Sequence, residues 1–165
     1  MTTEWTPELV KAALVDAFEI DYDTGGRVGP KMYGSAMPEY LVDSKDLWWQ
    51  RESGSNKVGR MRAKVQRRSV EISRMEIVLL GHRDPRGRDL PNWLGGYLRD
   101  MEGPRNCLEA HAVNSAFWNI RGKSFDAKRF CKRVGWSYWT FRSRRDRGAA
   151  IIAHHLNELG LAPWR

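Results

Sequence analysis

The 165-residue sequence predicts a mainly α protein, a multi-helix domain that ends in a helix-turn-helix with an extended last helix. Two observations carry this. Apolar side chains recur at three- and four-residue spacing in several stretches, and no stretch alternates strongly between apolar and polar residues as a half-buried strand would. Glycine and proline fall mostly between those stretches, where they act as breaks.

The elements follow in chain order. Thr6-Pro7-Glu8 is a helix start: Thr6 can cap, Pro7 suits the first helical position, and Glu8 meets the positive end of the helix dipole. Val10, Leu14, Ala17 and Phe18 then give one apolar face, so a helix is expected over residues 7–20. DYDTGGRVGPKMYGSAMP reads as a loop and Glu39–Trp49 as a short helix. RESGSNKVG is a polar linker and the best candidate boundary. From Val58 to Leu80 a long helix is expected, with Met61, Val65, Ile72 and Met75 on one stripe and a break near Arg68-Ser69. Arg60, Lys64, Arg67, Glu71 and Arg74 form its charged stripe. GHRDPRGRDLPN reads as a loop and Trp93–Met101 as a short helix that Gly103-Pro104 breaks. Asn106–Asn119 is the next helix, with Leu108, His111, Ala112, Ser115 and Trp118 on one side.

Charge is distributed unevenly. The net charge is +8. Residues 1–52 carry five basic and ten acidic side chains, residues 53–120 twelve and seven, and residues 121–147 ten and two. That last window alone holds a charge equal to the whole chain's, the electrostatic footprint of a nucleic-acid binder. Charge and composition together suggest three segments: an acidic 1–52 that could face a protein partner, a basic 53–104, and a DNA-binding 105–165.

Within the basic window, Ser124 can cap a helix over Phe125–Val134, Gly135 supplies a turn residue tolerant of positive φ, and Ser137 can cap a further helix running to Gly160. This is the order of a DNA-binding helix-turn-helix. Counted from Ala127, Phe130, Val134, Trp136 and Phe141 fall where the two helices need apolar contacts. Cys131 falls where a small side chain permits a close crossing. Arg144 departs from the pattern, taking a late position that is usually apolar.

Helical geometry sorts the last helix. Phe141, Gly148, Ile152 and Leu159 share the inward face, while Trp139, Arg142, Ser143 and Asp146 point roughly opposite. A recognition helix uses such N-terminal residues for base edges, so Tyr138, Trp139, Arg142, Ser143 and Asp146 are the expected readout set. Arg142 is the first choice for a bidentate guanine contact. Arg121, Lys123, Lys128, Arg129, Lys132, Arg133, Arg144, Arg145 and Arg147 are the expected phosphate contacts, which position without specifying.

Other chemistries find little support. No apolar run is long enough to span a bilayer, and the N-terminus lacks the pattern of a signal peptide. Cys107 and Cys131 do not make a disulfide framework, so a reducing cytoplasm is expected. Cys107, His111, Cys131, His154 and His155 lack the close cysteine pairs usual in structural zinc sites. No nucleophile or phosphate-loop motif is present. Neither catalysis nor a cofactor is expected.

The run AFWNIRGKSFDAKRFCKRVGWSYWTFRSRRDRGAAIIAHHLN resembles the region 4-like helix-turn-helix of bacterial sigma factors. It resembles more closely a group of small alphaproteobacterial prophage and gene-transfer-agent proteins, which open with a WTPELV-like segment and carry a GSAMPEY-like element, as Trp5–Val10 and Gly34–Tyr40 do. The likeness covers the first 40 residues and about 105–157. It implies a nucleoid-associated regulator of phage-derived genes, an activator or antiterminator acting through double-stranded DNA, with RNA polymerase or a sigma factor as a further candidate partner. Two alternatives stay open: a small terminase-like packaging subunit, and a polymerase-binding factor without sequence readout.

Overall fold

A computed structural model describes residues 4–24, 67–84 and 87–164. The chain divides into two units, Met1–Thr24 with Arg67–Arg165, and Gly25–Gln66; only the first is described below. The expected helix at Glu39–Trp49, the linker after it, the GSAMPEY element and the first part of the long basic helix lie outside the described residues.

The fold is mainly α: α1 (Pro7–Thr24), α2 (Ser69–Leu79), α3 (Glu102–Asn119), α4 (Ala127–Val134) and α5 (Tyr138–Glu158). In α1 the Thr6 hydroxyl accepts from the Leu9 N–H at 3.3 Å, and Val10, Ala13, Leu14, Ala17 and Ile20 form the buried stripe. The helix runs four residues past its expected end. Thr24 Oγ1 donates to the Ile20 carbonyl at 2.7 Å, and Arg67 clamps Asp23 at 2.6 Å. Those two contacts stabilise a last turn that composition alone disfavours. α2 starts at Ser69, at the expected break, where Glu71 accepts from the Arg68 N–H at 2.8 Å.

Between α2 and α3 the structure corrects two readings. The stretch read as a loop contains an antiparallel pair, β1 (His82–Arg83) and β2 (Asp89–Leu90), with His82 opposite Leu90 and Arg83 opposite Asp89. Two residues per strand are too few for alternation to show. Local ties make the turn instead: Arg88 pairs with Asp84 at 2.8 Å, and the Asp84 N–H donates to the Arg88 carbonyl. Gly81 enters this hairpin at φ +81°, and a Cβ there would lie 2.5 Å from the Leu90 carbonyl oxygen, so both its φ and the space require glycine. Residues 93–100 form consecutive turns, not a helix. Gly95-Gly96 lowers helix propensity there, while Trp93 and Leu98 are buried in the core.

Gly103-Pro104, expected to separate the 93–101 stretch from a helix starting at Asn106, sits instead in the first turn of α3, which starts at Glu102. Backbone N–H groups at those positions have no intrahelical partner, so proline costs nothing there. The first helical hydrogen bond runs from Arg105 N to the Met101 carbonyl. α4 begins two residues later than expected, because Asp126 rather than Ser124 caps it, accepting from the Arg129 N–H at 3.0 Å.

Charge composition separates the two ends of the chain, but packing joins them: α1 lies against both α3 and α5. The main core takes Val10 and Leu14 from α1, Leu108 and Ala112 from α3, and Ala149, Ile152 and Leu156 from α5. A smaller cluster of Cys107, Cys131 and Phe141 holds α4 to α3 and α5. Among the described residues no helix is long and apolar enough to cross a membrane.

Gly148 is a point of close approach between α5 and the start of α3. A methyl group on it would lie 3.2 Å from the Pro104 carbonyl oxygen and 3.4 Å from Leu108 and Leu98 side chains. Gly148→Val therefore overpacks this crossing and is expected to destabilise the fold by about 1–3 kcal/mol, read as a lower urea midpoint at unchanged slope.

Candidate nucleic-acid interface

The basic window folds as two helices joined by a short turn. α4 ends at Gly135, which takes φ +78°, and the Trp136 N–H closes the turn on the Cys131 carbonyl at 2.9 Å. Ser137 occupies the N-cap position of α5 in extended conformation but makes no side-chain capping hydrogen bond. Cys131 and Phe141 are buried where the helices meet, with Phe130 and Tyr138 packed against them. Val134 and Trp136, expected in the same contact, are 44% and 40% exposed. They lie at the open end of the pair, where Trp136 meets Phe130 and Phe141 only at ring-centroid distances of 6.0 and 6.1 Å.

The two halves of α5 have different surroundings. Gly148, Ala149, Ile152, Ala153 and Leu156 are buried, so the second half is anchored. In the first half only Phe141 is buried, while Trp139 is 72% exposed and the Arg142 side chain 53% exposed. Ser143 is exposed too. The structure thus gathers Trp139, Arg142 and Ser143 on one accessible surface, as their spacing predicts.

Three other expected site residues have different roles in the structure. Asp146 faces α1: its Oδ1 accepts from Lys11 Nζ at 3.0 Å and from Arg145 Nε at 2.9 Å. Lys11 is itself buried and also donates to Glu8 Oε1 at 2.7 Å. Asp146 is thus engaged by Lys11 and Arg145. Arg145, with 16% of its side chain exposed, has its charge paired there and is not a free phosphate donor. Tyr138 is half-buried against the Cys131–Phe141 cluster, with Lys128 Nζ 5.7 Å from its ring centroid. The 100° rule treats a helix as lying on a flat neighbour; here α1 wraps onto a flank that the rule assigns to solvent.

Among the expected phosphate contacts, Lys123, Arg129, Lys132 and Arg133 line one open groove of about 800 Å³ with Trp118, Phe125 and Phe130. Two of these cations lie near aromatic rings, Lys123 by Trp118 and Arg133 by Phe130, an arrangement that holds long side chains in place without neutralising them. Arg121 folds back on α3, its guanidinium 3.3 Å from the Phe117 ring centroid and bonded to the Phe117 carbonyl. Arg144 lies beside Gly103 at the start of α3. Arg147 is exposed on α5.

Lys11 and His111 are the residues that sequence reading missed. Lys11 had a signal, a lysine three residues before Leu14 on a stripe otherwise apolar. His111 is packed between the network and Phe125, and its Nδ1 is buried with no hydrogen-bond partner among the described residues. Burial first, then the Arg145 and Lys11 charges, lower its pKa to about 4 against the attraction of Asp146 and Glu8. For Asp146, burial pushes the carboxyl up, but the hydrogen bonds from Lys11 and Arg145 outweigh it and hold the group below its usual range.

Compared with protein-family models, curated proteins and solved structures, the chain matches none.

His111 sets a pH dependence. Between about pH 6.5 and about pH 4 the unfolded chain binds a proton that the folded chain refuses, so stability present above pH 6.5 is lost as pH falls through that window. Asp146 acts in the same direction but only below the ordinary carboxylate range. His111→Phe is expected to flatten the profile between pH 6.5 and 4.5, as measured by urea unfolding at each pH.

Proposed function

We propose that this protein is a DNA-binding transcription regulator that lays the first turns of α5 in the major groove and holds the backbone with α4. One observation carries the reading: the first half of α5 presents Arg142, Trp139 and Ser143 to solvent while its second half is anchored in the core. A helix held at one end and bare at the other can enter a groove of about 12 Å without unpacking. The basic groove beside α4 adds Lys123, Arg129, Lys132 and Arg133 as phosphate donors. The readout set is therefore Trp139, Arg142 and Ser143, with Asp146, Arg145 and Lys11 bracing the helix from behind.

The likeness to prophage and gene-transfer-agent regulators supplies the biological role: control of phage-derived genes at the nucleoid, with RNA polymerase or a sigma factor as second partner. Packaging subunits share such a motif but work as rings, and no coiled-coil heptads are present in the sequence to build one.

Selection of a binding site from a random duplex library, followed by titration across a salt series, tests the proposal. Arg142→Ala should relax preference at one G·C position, a loss of roughly 1–3 kcal/mol of discrimination. Lys132→Ala and Arg133→Ala should weaken all sequences alike and make the log–log salt slope shallower by about 0.9 for each phosphate no longer neutralised. Absence of duplex binding at about 50 mM salt would sink the reading in favour of a polymerase-bound factor.

A further inference from the structure

The groove beside α4 has more in it than a phosphate contact needs. Its walls come from the end of α3, the link after it and α4, and it holds about 800 Å³, within the range of ligand-binding clefts. Two kinds of side chain dominate the lining. Trp118, Phe125 and Phe130 supply its apolar part, and no aliphatic or methionine side chain joins them. Lys123, Arg129, Lys132 and Arg133 supply the charge, against the one carboxylate of Asp126. That carboxylate already accepts the Arg129 N–H as the cap of α4. The four cations are exposed and the three rings half-buried. Lys123 Nζ lies 6.0 Å from the Trp118 ring centroid and the Arg133 guanidinium 5.8 Å from that of Phe130. Both distances are at the outer limit of a cation–π contact, so each cation borders its ring without being strongly bound to it.

We propose that this groove binds single-stranded DNA, with unpaired bases stacked on its rings and the adjoining phosphates held by its cations. A duplex keeps its bases stacked inside and offers only sugar and phosphate to a helix that crosses its backbone. Aromatic walls add nothing to such a contact. An unpaired strand presents planar apolar bases and a chain of negative charges together, and this lining matches both. Rings combined with a basic groove are the sequence-tolerant way of holding single strands, because every base has a π-face. An acidic peptide would match the charge as well. A lining whose apolar part is aromatic alone suits flat guests better than branched ones. The choice of DNA rests on the duplex reading of α5: α4 joins α5 through the turn at Gly135, so one two-helix unit holds the duplex with α5 and a separated strand beside α4. The protein then grips DNA that is locally open as well as DNA that is paired.

The test uses the full chain and end-labelled strands followed by fluorescence anisotropy. A twelve-nucleotide oligothymidylate and an abasic strand of the same length carry the same phosphates and differ only in their bases. The oligothymidylate should bind at least about fivefold more tightly, the lower end of what one stacked base contributes. Trp118→Leu keeps an apolar side chain and removes the ring, and should bring that ratio close to one. Phe125→Leu gives the same reading should Trp118→Leu fail to fold. Equal affinity of the wild-type protein for the two strands would overturn the proposal, as would a base preference that survives in both variants. Tighter binding of oligouridylate than of oligothymidylate would assign the groove to RNA, and binding of a glutamate–phenylalanine peptide without any base preference would assign it to a protein; either result also sinks the proposal. Duplex selection through Arg142 is a separate readout. Its loss with the base preference intact overturns the duplex reading alone, and the reverse result overturns this proposal alone.

Discussion

The close crossing of α3 and α5 at Gly148 is the constraint on which the rest of this unit depends. Without a side chain there, the α5 backbone approaches the Pro104 carbonyl and the Leu108 side chain. That approach lets Ala149, Ile152 and Leu156 reach the core shared with α1 and α3. Full burial of an aliphatic side chain the size of Ile152 or Leu156 contributes about 1.5–3 kcal/mol. These contacts hold the second half of α5 rigidly, and the first half extends from that anchor. Glycine inside a helix costs roughly 1 kcal/mol of propensity, which the packing it permits offsets several times over.

Electrostatics then divides the cations of α5 into two kinds. Asp146, Lys11 and Arg145 form a partly buried network in which each charge has a partner. An exposed ion pair contributes little, but Lys11 is buried, and a buried ammonium without its carboxylates is strongly destabilising. The network therefore fixes α1 against the middle of α5. Arg142 approaches the same carboxylate only at 3.9 Å, leaving its guanidinium largely available. Position within one turn of helix thus separates a bracing arginine from a displayed one.

The periodicity of apolar residues is a good guide wherever a helix buries one stripe: α1, the start of α2, most of α3 and the inward face of α5 are all legible. Short elements are not. The β1–β2 pair arises from the Asp84–Arg88 ties and the glycine-only entry at Gly81, and the 93–100 turns arise from burying Trp93 beside Gly95-Gly96; neither leaves a periodic trace. Gly103-Pro104 misplaces the start of α3 by four residues, since the first turn of the helix accommodates the proline. The candidate site is legible in part. Trp139, Arg142 and Ser143 are accessible as their 100° spacing predicts, whereas Asp146, Arg145 and Tyr138 are engaged by neighbours that one helix's geometry does not include.

By itself, the amino-acid sequence determined that the chain is helical, that its charge concentrates in residues 121–147, and that Gly135 ends one helix just before another begins. Those properties depend on local sterics and on composition. Only the tertiary structure decided which cations are displayed, that the acidic N-terminal helix braces the basic C-terminal one, and that Trp5, Trp93 and Trp164, from the two ends and the middle of the chain, pack together. Contacts such as Lys11–Asp146 join positions far apart in the chain, and nothing in either local segment encodes the neighbour it will meet once the core has closed.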